Sequence, residues 1–120
     1  MTRILAVDDS TSMRQMVSFT LKTAGFDVVE AIDGVEALQA AKGQQFDVII
    51  SDVNMPNMDG ITLVKEIRSL ANYKFVPILM LTTESSSEKK QAGRAAGATG
   101  WIVKPFNPDQ LLATVNKVVG

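Results

Sequence analysis

Short apolar runs alternate with longer segments of helical periodicity along the chain. The apolar runs are short enough to be buried strands, at residues 4–7, 28–31, 48–50, 76–81 and 101–103. Between and after them, apolar residues recur three or four positions apart, which is typical of one helix face. These segments predict helices at residues 10–24, 35–42, 61–70, 85–96 and 107–119.

Several helix boundaries carry their own signals. Gly25 follows the first helix, as glycine often does just past a helix C-terminus. Asn107 is a predicted N-cap and Pro108 a predicted first helical residue of the last helix. On the first helix, Met13 and Met16 share a face with the apolar residues, and we predict that both are core residues.

Strict alternation of strand and helix predicts a parallel sheet with helices on both faces. Central strands that are apolar throughout agree, because a parallel sheet is buried on both sides. We therefore expect an α/β, flavodoxin-like, doubly wound sheet with five strands in the order 2-1-3-4-5 and five flanking helices. A length of 120 residues predicts a single domain over residues 1–120.

Composition and charge narrow the function classes. The chain has no cysteine and no histidine, which excludes disulfides, thiolate sites and histidine-based catalysis. A net charge of −1 argues against a nucleic-acid binder, which usually carries a basic excess. The apolar runs are too short for a signal peptide or a membrane span, so we expect a cytoplasmic protein without membrane contact.

Reactive side chains follow four of the five predicted strands. Asp8 and Asp9 follow the first, Asp52 the third, Thr82 the fourth and Lys104 the fifth. Because parallel strands end at one edge of a sheet, we expect these side chains to converge where ligands bind in such folds.

Three carboxylates in one crevice repel one another. Two charges about 4 Å apart at an effective dielectric constant of about 20 cost roughly 4 kcal/mol. Oxygen ligands without histidine or cysteine predict a hard cation, with Mg²⁺ favoured. A carboxylate, a divalent cation, a lysine and a hydroxyl are the groups that phosphoryl transfer to a carboxylate requires.

Each residue alone also has an ordinary explanation. The pair Asp8–Asp9 could cap the first helix, Asp52 could be a loop carboxylate, and Lys104 could be solvated. The coincidence of compatible chemistry at four strand ends favours the functional interpretation.

With these residues, the chain resembles the response-regulator receiver domain, a known family, over its whole length. The matching residues are Asp8, Asp9, Asp52, Thr82 and the pair Lys104–Pro105. The run from 52 to 60, DVNMPNMDG, is closer still to the chemotaxis receivers of that family. The strand order given above is also the order of that family, so the two expectations are not independent.

The resemblance implies a role for each residue. Asp52 would accept a phosphoryl group, while Asp9, Asp52 and the backbone carbonyl of Asn54 would bind Mg²⁺ directly and Asp8 through water. Lys104 would contact a phosphoryl oxygen, and Thr82 would shift to donate a hydrogen bond to it. The Lys104–Pro105 bond would be cis.

The resemblance also implies how the signal leaves the site. The aromatic switch position of the family falls at Trp101, where tyrosine or phenylalanine is usual, so a bulkier ring is expected to restrict the rotation. The surface of helix four, strand five and helix five would report phosphorylation to a partner. Asn54 and Glu84, two residues after Asp52 and Thr82, would tune access of hydrolytic water.

The expected function is a stand-alone, monomeric response regulator, a phosphorylated switch rather than a conventional enzyme. A histidine kinase, CheA-like in a chemotaxis system, would donate the phosphate, and the flagellar motor switch is one expected partner. One alternative is a phosphorelay intermediate that passes phosphate to a histidine phosphotransfer protein. An aspartyl-phosphate phosphatase is disfavoured, because Asp8-Asp9-Ser10 lacks the Asp-x-Asp spacing. A flavin binder is disfavoured by the absence of glycine from residues 10–12.

Overall fold

The computed structural model describes residues 2–82, 87–104 and 106–119. Five strands alternate with five helices in these ranges, as the sequence predicts. The elements are β1 (Arg3–Val7), α1 (Thr11–Thr23), β2 (Asp27–Ala31), α2 (Gly34–Gly43), β3 (Val48–Ser51), α3 (Gly60–Arg68), a 3₁₀ turn (Ala71–Tyr73), β4 (Ile78–Thr82), α4 (Ser87–Ala96), β5 (Gly100–Val103) and α5 (Pro108–Val119).

All neighbouring strands are parallel, and the sheet has the order β2-β1-β3-β4-β5. This confirms the predicted fold class and strand order. The order reverses between β1 and β3, which lie side by side although β2 separates them in sequence. The carboxyl ends of β1 and β3 therefore form the crevice in which such folds bind ligands.

The sheet has an apolar layer on each face, because successive side chains of a strand point to opposite sides. In β1, Ile4 and Ala6 pack with α1 and α5, whereas Leu5 and Val7 pack with α2 and α3. All four are at most 3% exposed. Burial on both faces explains why residues 4–7 of β1 show no polar alternation.

One detail of the predicted core is wrong. Met16 is 53% exposed. Helix α1 meets the sheet through a narrower stripe that includes Val17 and Leu21, so Met16 lies beyond its margin. Met13, by contrast, packs partly buried against the core.

Element boundaries shift by small amounts. Strand β4 begins at Ile78 rather than at residue 76, and the 3₁₀ turn before it was not predicted. The predicted start of the fourth helix at residue 85 lies outside the described residues. Within residues 2–82, 87–104 and 106–119, no helix has the length and apolar character needed to cross a membrane.

Helices α1, α2 and α3 begin in the same way at the carboxyl edge of the sheet. Ser10, Asp33 and Asp59 each accept a hydrogen bond from the backbone N–H three residues later, at Met13, Glu36 and Thr62. Each side chain satisfies a donor that the first helical turn leaves without a partner. The loops that follow β1, β2 and β3 are thereby fixed at their helical ends.

Candidate functional site at the carboxyl edge of the sheet

Strands β1 and β3 place two aspartates side by side. The backbone N–H of Asp8 donates to Ala31 O at 3.2 Å, and that of Asp52 donates to Val7 O at 3.0 Å. Both residues thus remain tied to the neighbouring strand just beyond the strand ends. Asp8 is 3% exposed and Asp52 7% exposed, while Asp9 is open to solvent.

The predicted convergence of carboxylates is observed. One oxygen from each of Asp8, Asp9 and Asp52 lies within 4.8 Å of the other two. We call these three residues the acidic site. Two of the carboxylates, Asp8 and Asp52, are buried, and Asp9 is exposed to solvent.

Lys104 supplies the positive charge of the site. Its Nζ lies 2.8 Å from Asp8 Oδ2 and 3.4 Å from Asp52 Oδ2, and its side chain is only 10% exposed. The ammonium group therefore links the loop after β5 to the carboxylates that follow β1 and β3. The explanation of Lys104 as a solvated lysine is wrong.

Asp8 does not act as a helix cap. Its Oδ1 accepts from the Ser10 N–H at 2.9 Å, and Ser10 itself caps α1 through Oγ. The guanidinium of Arg14 donates to the Asp8 carbonyl at 2.9 Å and pairs with Glu30 at 3.1 Å. One Asp8 oxygen thus holds the loop, and the other holds Lys104.

Asp52 is a desolvated carboxylate. Burial raises its pKa above the usual value, Lys104 lowers it and the charge of Asp8 raises it, with a net increase. Its Oδ1 accepts from the Val53 N–H at 2.8 Å. A carboxylate with a raised pKa is more basic, and therefore a better nucleophile, than an exposed one.

The loop after Asp52 reaches α3 through a close approach. A Cβ atom placed on Gly60 would overlap the Asp52 carbonyl oxygen and would lie 2.8 Å from Met80 Cε. The Gly60 N–H also donates to Val53 O at 2.8 Å. Only glycine allows the start of α3 to lie this close to Asp52.

The acidic site fits a hard divalent cation. Its donors are all carboxylate oxygens, they converge within one ion's reach, and no nitrogen or sulfur ligand competes for the site among the described residues. This donor set is the one that Mg²⁺ and Ca²⁺ prefer. A cation would also relieve the repulsion that Lys104 neutralises in part.

The remaining predicted site residues lie close to the acidic site in sequence or in the sheet. Asn54 is exposed in the loop after β3, and Thr82 is the last residue of β4, paired with Val103. The Thr82 side chain, Glu84 and Pro105 lie outside the described part of the structure, as does the Lys104–Pro105 bond.

Trp101 lies one strand away, on β5, where it pairs with Met80 and is partly buried. Its ring lies against α4 at Gly93. A Cβ atom on Gly93 would lie 2.5 Å from Trp101 Cζ3 and 3.3 Å from Cη2. The absence of a side chain at Gly93 therefore makes room for the larger ring.

Sequence reasoning missed two contacts near the site. The Asn57 amide donates to Asp33 Oδ2 at 2.9 Å, and Arg14 supports the Asp8 carbonyl. The spacing of Asp33 and Glu36 is a capping-box pattern that could have identified Asp33 as more than a turn residue. Nothing in the local sequence indicates that Asn57 reaches it.

The family can now be assigned. The model of the response regulator receiver domain family matches residues 4–116, nearly the whole chain. The chain therefore belongs to the response regulator receiver domain family. It is 41% identical to the chemotaxis protein CheY1 of Helicobacter pylori over 98% of this chain and 97% of that protein. A chemotaxis protein CheY homolog of Campylobacter jejuni is also 41% identical, over 98% of this chain and 92% of that protein.

Solved structures agree with this assignment. Chemotaxis protein CheY4 of Vibrio cholerae superposes with a TM-score of 0.96 at 63% identity, covering 98% of both chains. The receiver domain of the sensor histidine kinase PA1611 of Pseudomonas aeruginosa has a TM-score of 0.93 at 28% identity, covering 99% of this chain and 98% of that one. That structure has a magnesium ion coordinated in its active site cleft.

Proposed function

We propose that the protein is a cytoplasmic, single-domain response regulator of chemotaxis that is phosphorylated on Asp52 and acts as a monomeric switch. The observation that carries the proposal is the acidic site itself, with Lys104 Nζ 2.8 Å from Asp8 and 3.4 Å from Asp52. Membership of the receiver family supports a signalling switch rather than a conventional enzyme.

Asp52 is the proposed nucleophile. Its carboxylate attacks the phosphorus of a phosphohistidine on a histidine kinase, an O–P bond forms, and the P–N bond breaks. The leaving imidazole nitrogen takes up a proton from solvent, so the histidine leaves neutral. The transfer converts the Asp52 carboxylate to an acyl phosphate whose negative charge lies on the phosphoryl oxygens, and Lys104 and the proposed cation would neutralise that charge.

Lys104 and Thr82 are proposed to hold the phosphoryl oxygens. The Lys104 ammonium already faces Asp52, so a short rotation of its side chain would bring it to a phosphoryl oxygen while Asp8 retains it nearby. The Thr82 hydroxyl would donate a further hydrogen bond from the end of β4. Such positioned charges and donors are the main source of catalysis in phosphoryl transfer.

Mg²⁺ is the proposed cofactor. Asp9, Asp52 and the backbone carbonyl of Asn54 would hold it directly, and Asp8 through water. When bound, the ion supplies positive charge that offsets the charge on the transferring phosphoryl group. The donor chemistry of the acidic site supports this choice, as does the magnesium-bound receiver neighbour.

The signal is proposed to leave through α4, β5 and α5. Movement of Thr82 toward the phosphoryl group would bias the position of Trp101 on the neighbouring strand, with Asn54 and Glu84 tuning hydrolysis. Phosphorylation would shift a balance between two existing conformations rather than create a new fold.

The chemotaxis pathway is proposed from the relatives. Two of them are named as chemotaxis proteins and match over at least 92% of their own length. This supports a stand-alone regulator with a CheA-like kinase as donor and the flagellar motor switch as a candidate partner. A phosphorelay intermediate is a second candidate, because the Pseudomonas neighbour is the receiver domain of a sensor histidine kinase.

The test is phosphorylation of the purified protein by acetyl phosphate in the presence and absence of Mg²⁺. Intact mass spectrometry should show one phosphoryl adduct that requires Mg²⁺ and is absent from Asp52→Asn. The emission of Trp101 is followed in the same samples. An adduct of equal yield on Asp52→Asn, or no adduct on the wild type, would reject Asp52 as phosphoacceptor.

Thr82→Ala separates phosphorylation from switching. This variant should still gain the adduct, while the emission change of Trp101 on phosphorylation should be lost. A change of wild-type size in the variant would reject the proposed role of Thr82. Transfer of the phosphoryl group from Asp52 to a histidine phosphotransfer domain, without binding to a motor switch protein, would favour the phosphorelay.

A further inference from the structure

The loop between β3 and α3, residues 52–59, is joined to the start of α2 by one side-chain hydrogen bond. The Asn57 Nδ2 donates to Asp33 Oδ2 at 2.9 Å. The partners are 24 residues apart, and the bond connects the loops that follow β2 and β3, the two strands on either side of β1. Neither residue belongs to the acidic site.

Backbone packing brings the same two segments together. A Cβ atom on Gly34, the first residue of α2, would lie 2.7 Å from Met58 O and 2.8 Å from Met58 Cβ. The loop therefore rests directly on the backbone of α2, next to the Asn57–Asp33 hydrogen bond. Any side chain at residue 34 would push the loop away.

Asn57 adopts an unfavourable backbone conformation in this contact. Its φ is +69°, the only positive value of a non-glycine residue in the described ranges. Asparagine adopts this region more readily than most residues, but surrounding contacts must still hold it there. The loop is also closed by hydrogen bonds from Met58 N to Pro56 O and from Gly60 N to Val53 O.

Asp33 is a rigid anchor for the loop. Its Oδ1 accepts from the Glu36 N–H at 2.8 Å, and the Glu36 carboxylate accepts from the Ile32 N–H at 3.1 Å. This arrangement resembles a capping box, with Glu36 reaching the residue before the N-cap, and it holds the Asp33 carboxylate independently of Asn57. The hydrogen bonds from the Glu36 N–H and the Asn57 amide hold the pKa of Asp33 below its usual value, so it stays charged at neutral pH.

We propose that Asn57 and Asp33 are a positioning pair that fixes the loop and thereby aims the backbone carbonyl of Asn54 at the cation of the acidic site. The inference rests on the proposed function, which assigns that carbonyl to Mg²⁺. Asn54 is exposed and lies between Asp52 and the anchored tip, so the loop conformation decides where its carbonyl points. Neither Asn57 nor Asp33 touches the ion.

The test is the Mg²⁺ affinity of Asn57→Asp, measured by isothermal titration calorimetry of the purified protein. Aspartate tolerates the positive φ, but its carboxylate would face that of Asp33 and break the hydrogen bond. We expect Mg²⁺ to bind about tenfold more weakly, the usual effect of losing a group that orients a metal ligand. The added negative charge alone would strengthen binding, so the sign of the change separates the two effects.

The exchanged pair Asp33→Asn with Asn57→Asp provides the rescue. The new asparagine keeps an oxygen to cap α2, and its amide can donate to the new aspartate, which restores the hydrogen bond in reverse. The net charge of the protein is unchanged. We expect the double variant to regain most of the lost affinity, which a loss of stability alone would not explain.

Asn72→Ala is the matched control. The Asn72 amide donates to Gln45 Oε1 at 2.6 Å, which is also a side-chain amide contact between distant segments, 27 residues apart. Both residues precede strands, so they lie at the opposite edge of the sheet from the acidic site. This variant should lose stability and keep wild-type Mg²⁺ affinity.

The outcomes separate this inference from the proposed function. Unchanged or tighter Mg²⁺ binding by Asn57→Asp, or failure of the exchanged pair to restore it, would overturn the positioning role while the wild type still binds Mg²⁺ and Asp9→Ala does not. A wild type that binds no Mg²⁺ would overturn the metal site of the proposed function, and the positioning role with it.

Discussion

Asp52 shows at the scale of one residue how function opposes stability. The carboxylate is 7% exposed, and its contacts with Lys104 and the Val53 N–H do not offset the cost of burial, because its pKa is raised. A charged side chain at this position therefore lowers the stability of the folded protein. The cost is explained if Asp52 must react, since attack on phosphorus needs an ionised carboxylate oxygen at this position.

We predict that Asp52→Asn unfolds at a higher temperature than the wild type at neutral pH without Mg²⁺. The raised pKa means that the folded state binds the Asp52 proton more tightly than the unfolded state does. The wild type therefore loses stability as pH rises from about the ordinary value of 3.8 to the folded pKa, and the variant does not. Thermal unfolding across this range should show the gap between them growing and then staying constant.

The matched control for this prediction is Asp27→Asn. Asp27 pairs with Arg3 at 2.9 Å, with both side chains more than 40% exposed. Removal of such a surface pair costs at most about 1 kcal/mol, so this variant should be no more stable than the wild type. A stability gain of similar size in both variants would show that the effect is unrelated to the burial of Asp52.

At the scale of elements, α4 packs against β5 through Gly93 of the helix and Trp101 of the strand. Gly93 lies within α4, where glycine weakens a helix by about 1 kcal/mol relative to alanine. The packing of Trp101 against its backbone gives the reason for this cost. The tryptophan at the switch position therefore packs against a glycine, Gly93, on the helix that it contacts.

We predict that Gly93→Ala destabilises the protein by about 1–3 kcal/mol, as overpacked cores usually do. The new methyl group would meet Trp101 Cζ3, so the ring must move and its emission maximum should shift. Urea unfolding and Trp101 fluorescence measure the two effects.

Gly43→Ala is the control, because a Cβ atom at Gly43 meets nothing within 4 Å. It should leave Trp101 emission unchanged and raise stability slightly through helix propensity. A stabilised Gly93→Ala with unchanged emission would contradict the packing that the structure shows.

At the scale of the whole molecule, cation binding and folding are linked. The ligands of the acidic site come from β1 and β3, and Lys104 follows β5, so only the folded chain brings these groups together. An ion that binds only the folded state stabilises it in proportion to the logarithm of its concentration. The unfolding temperature should therefore report on Mg²⁺ binding at the proposed metal site.

We predict that Mg²⁺ raises the unfolding temperature of the wild type and that a chelator reverses the effect. At one hundred times the dissociation constant, the stabilisation should be about 2.7 kcal/mol. Asp9→Ala should lose the response, because Asp9 is a proposed direct ligand of the ion. Its side chain is exposed, so its removal should change the core little. An Asp9→Ala variant with the full response would show that Mg²⁺ acts elsewhere.

The sequence predicted most of the fold because apolar periodicity and parallel-sheet geometry are properties of the chain itself. Asp8, Asp52 and Lys104 were placed together because every parallel strand ends at the same edge. Met16 was misplaced because periodicity shows which residues share a helix face but not how wide the buried stripe is. The 3₁₀ turn at Ala71–Tyr73 was missed because three residues carry too little pattern.

The sequence by itself therefore determined the element order, the sheet class and the identity of the carboxylates and the lysine. Only the tertiary structure decided that Lys104 lies closer to Asp8 than to Asp52, that burial raises the pKa of Asp52, and that Asn57 reaches Asp33. Distances, desolvation and contacts between loops depend on how whole layers pack, and no local pattern of residues encodes them.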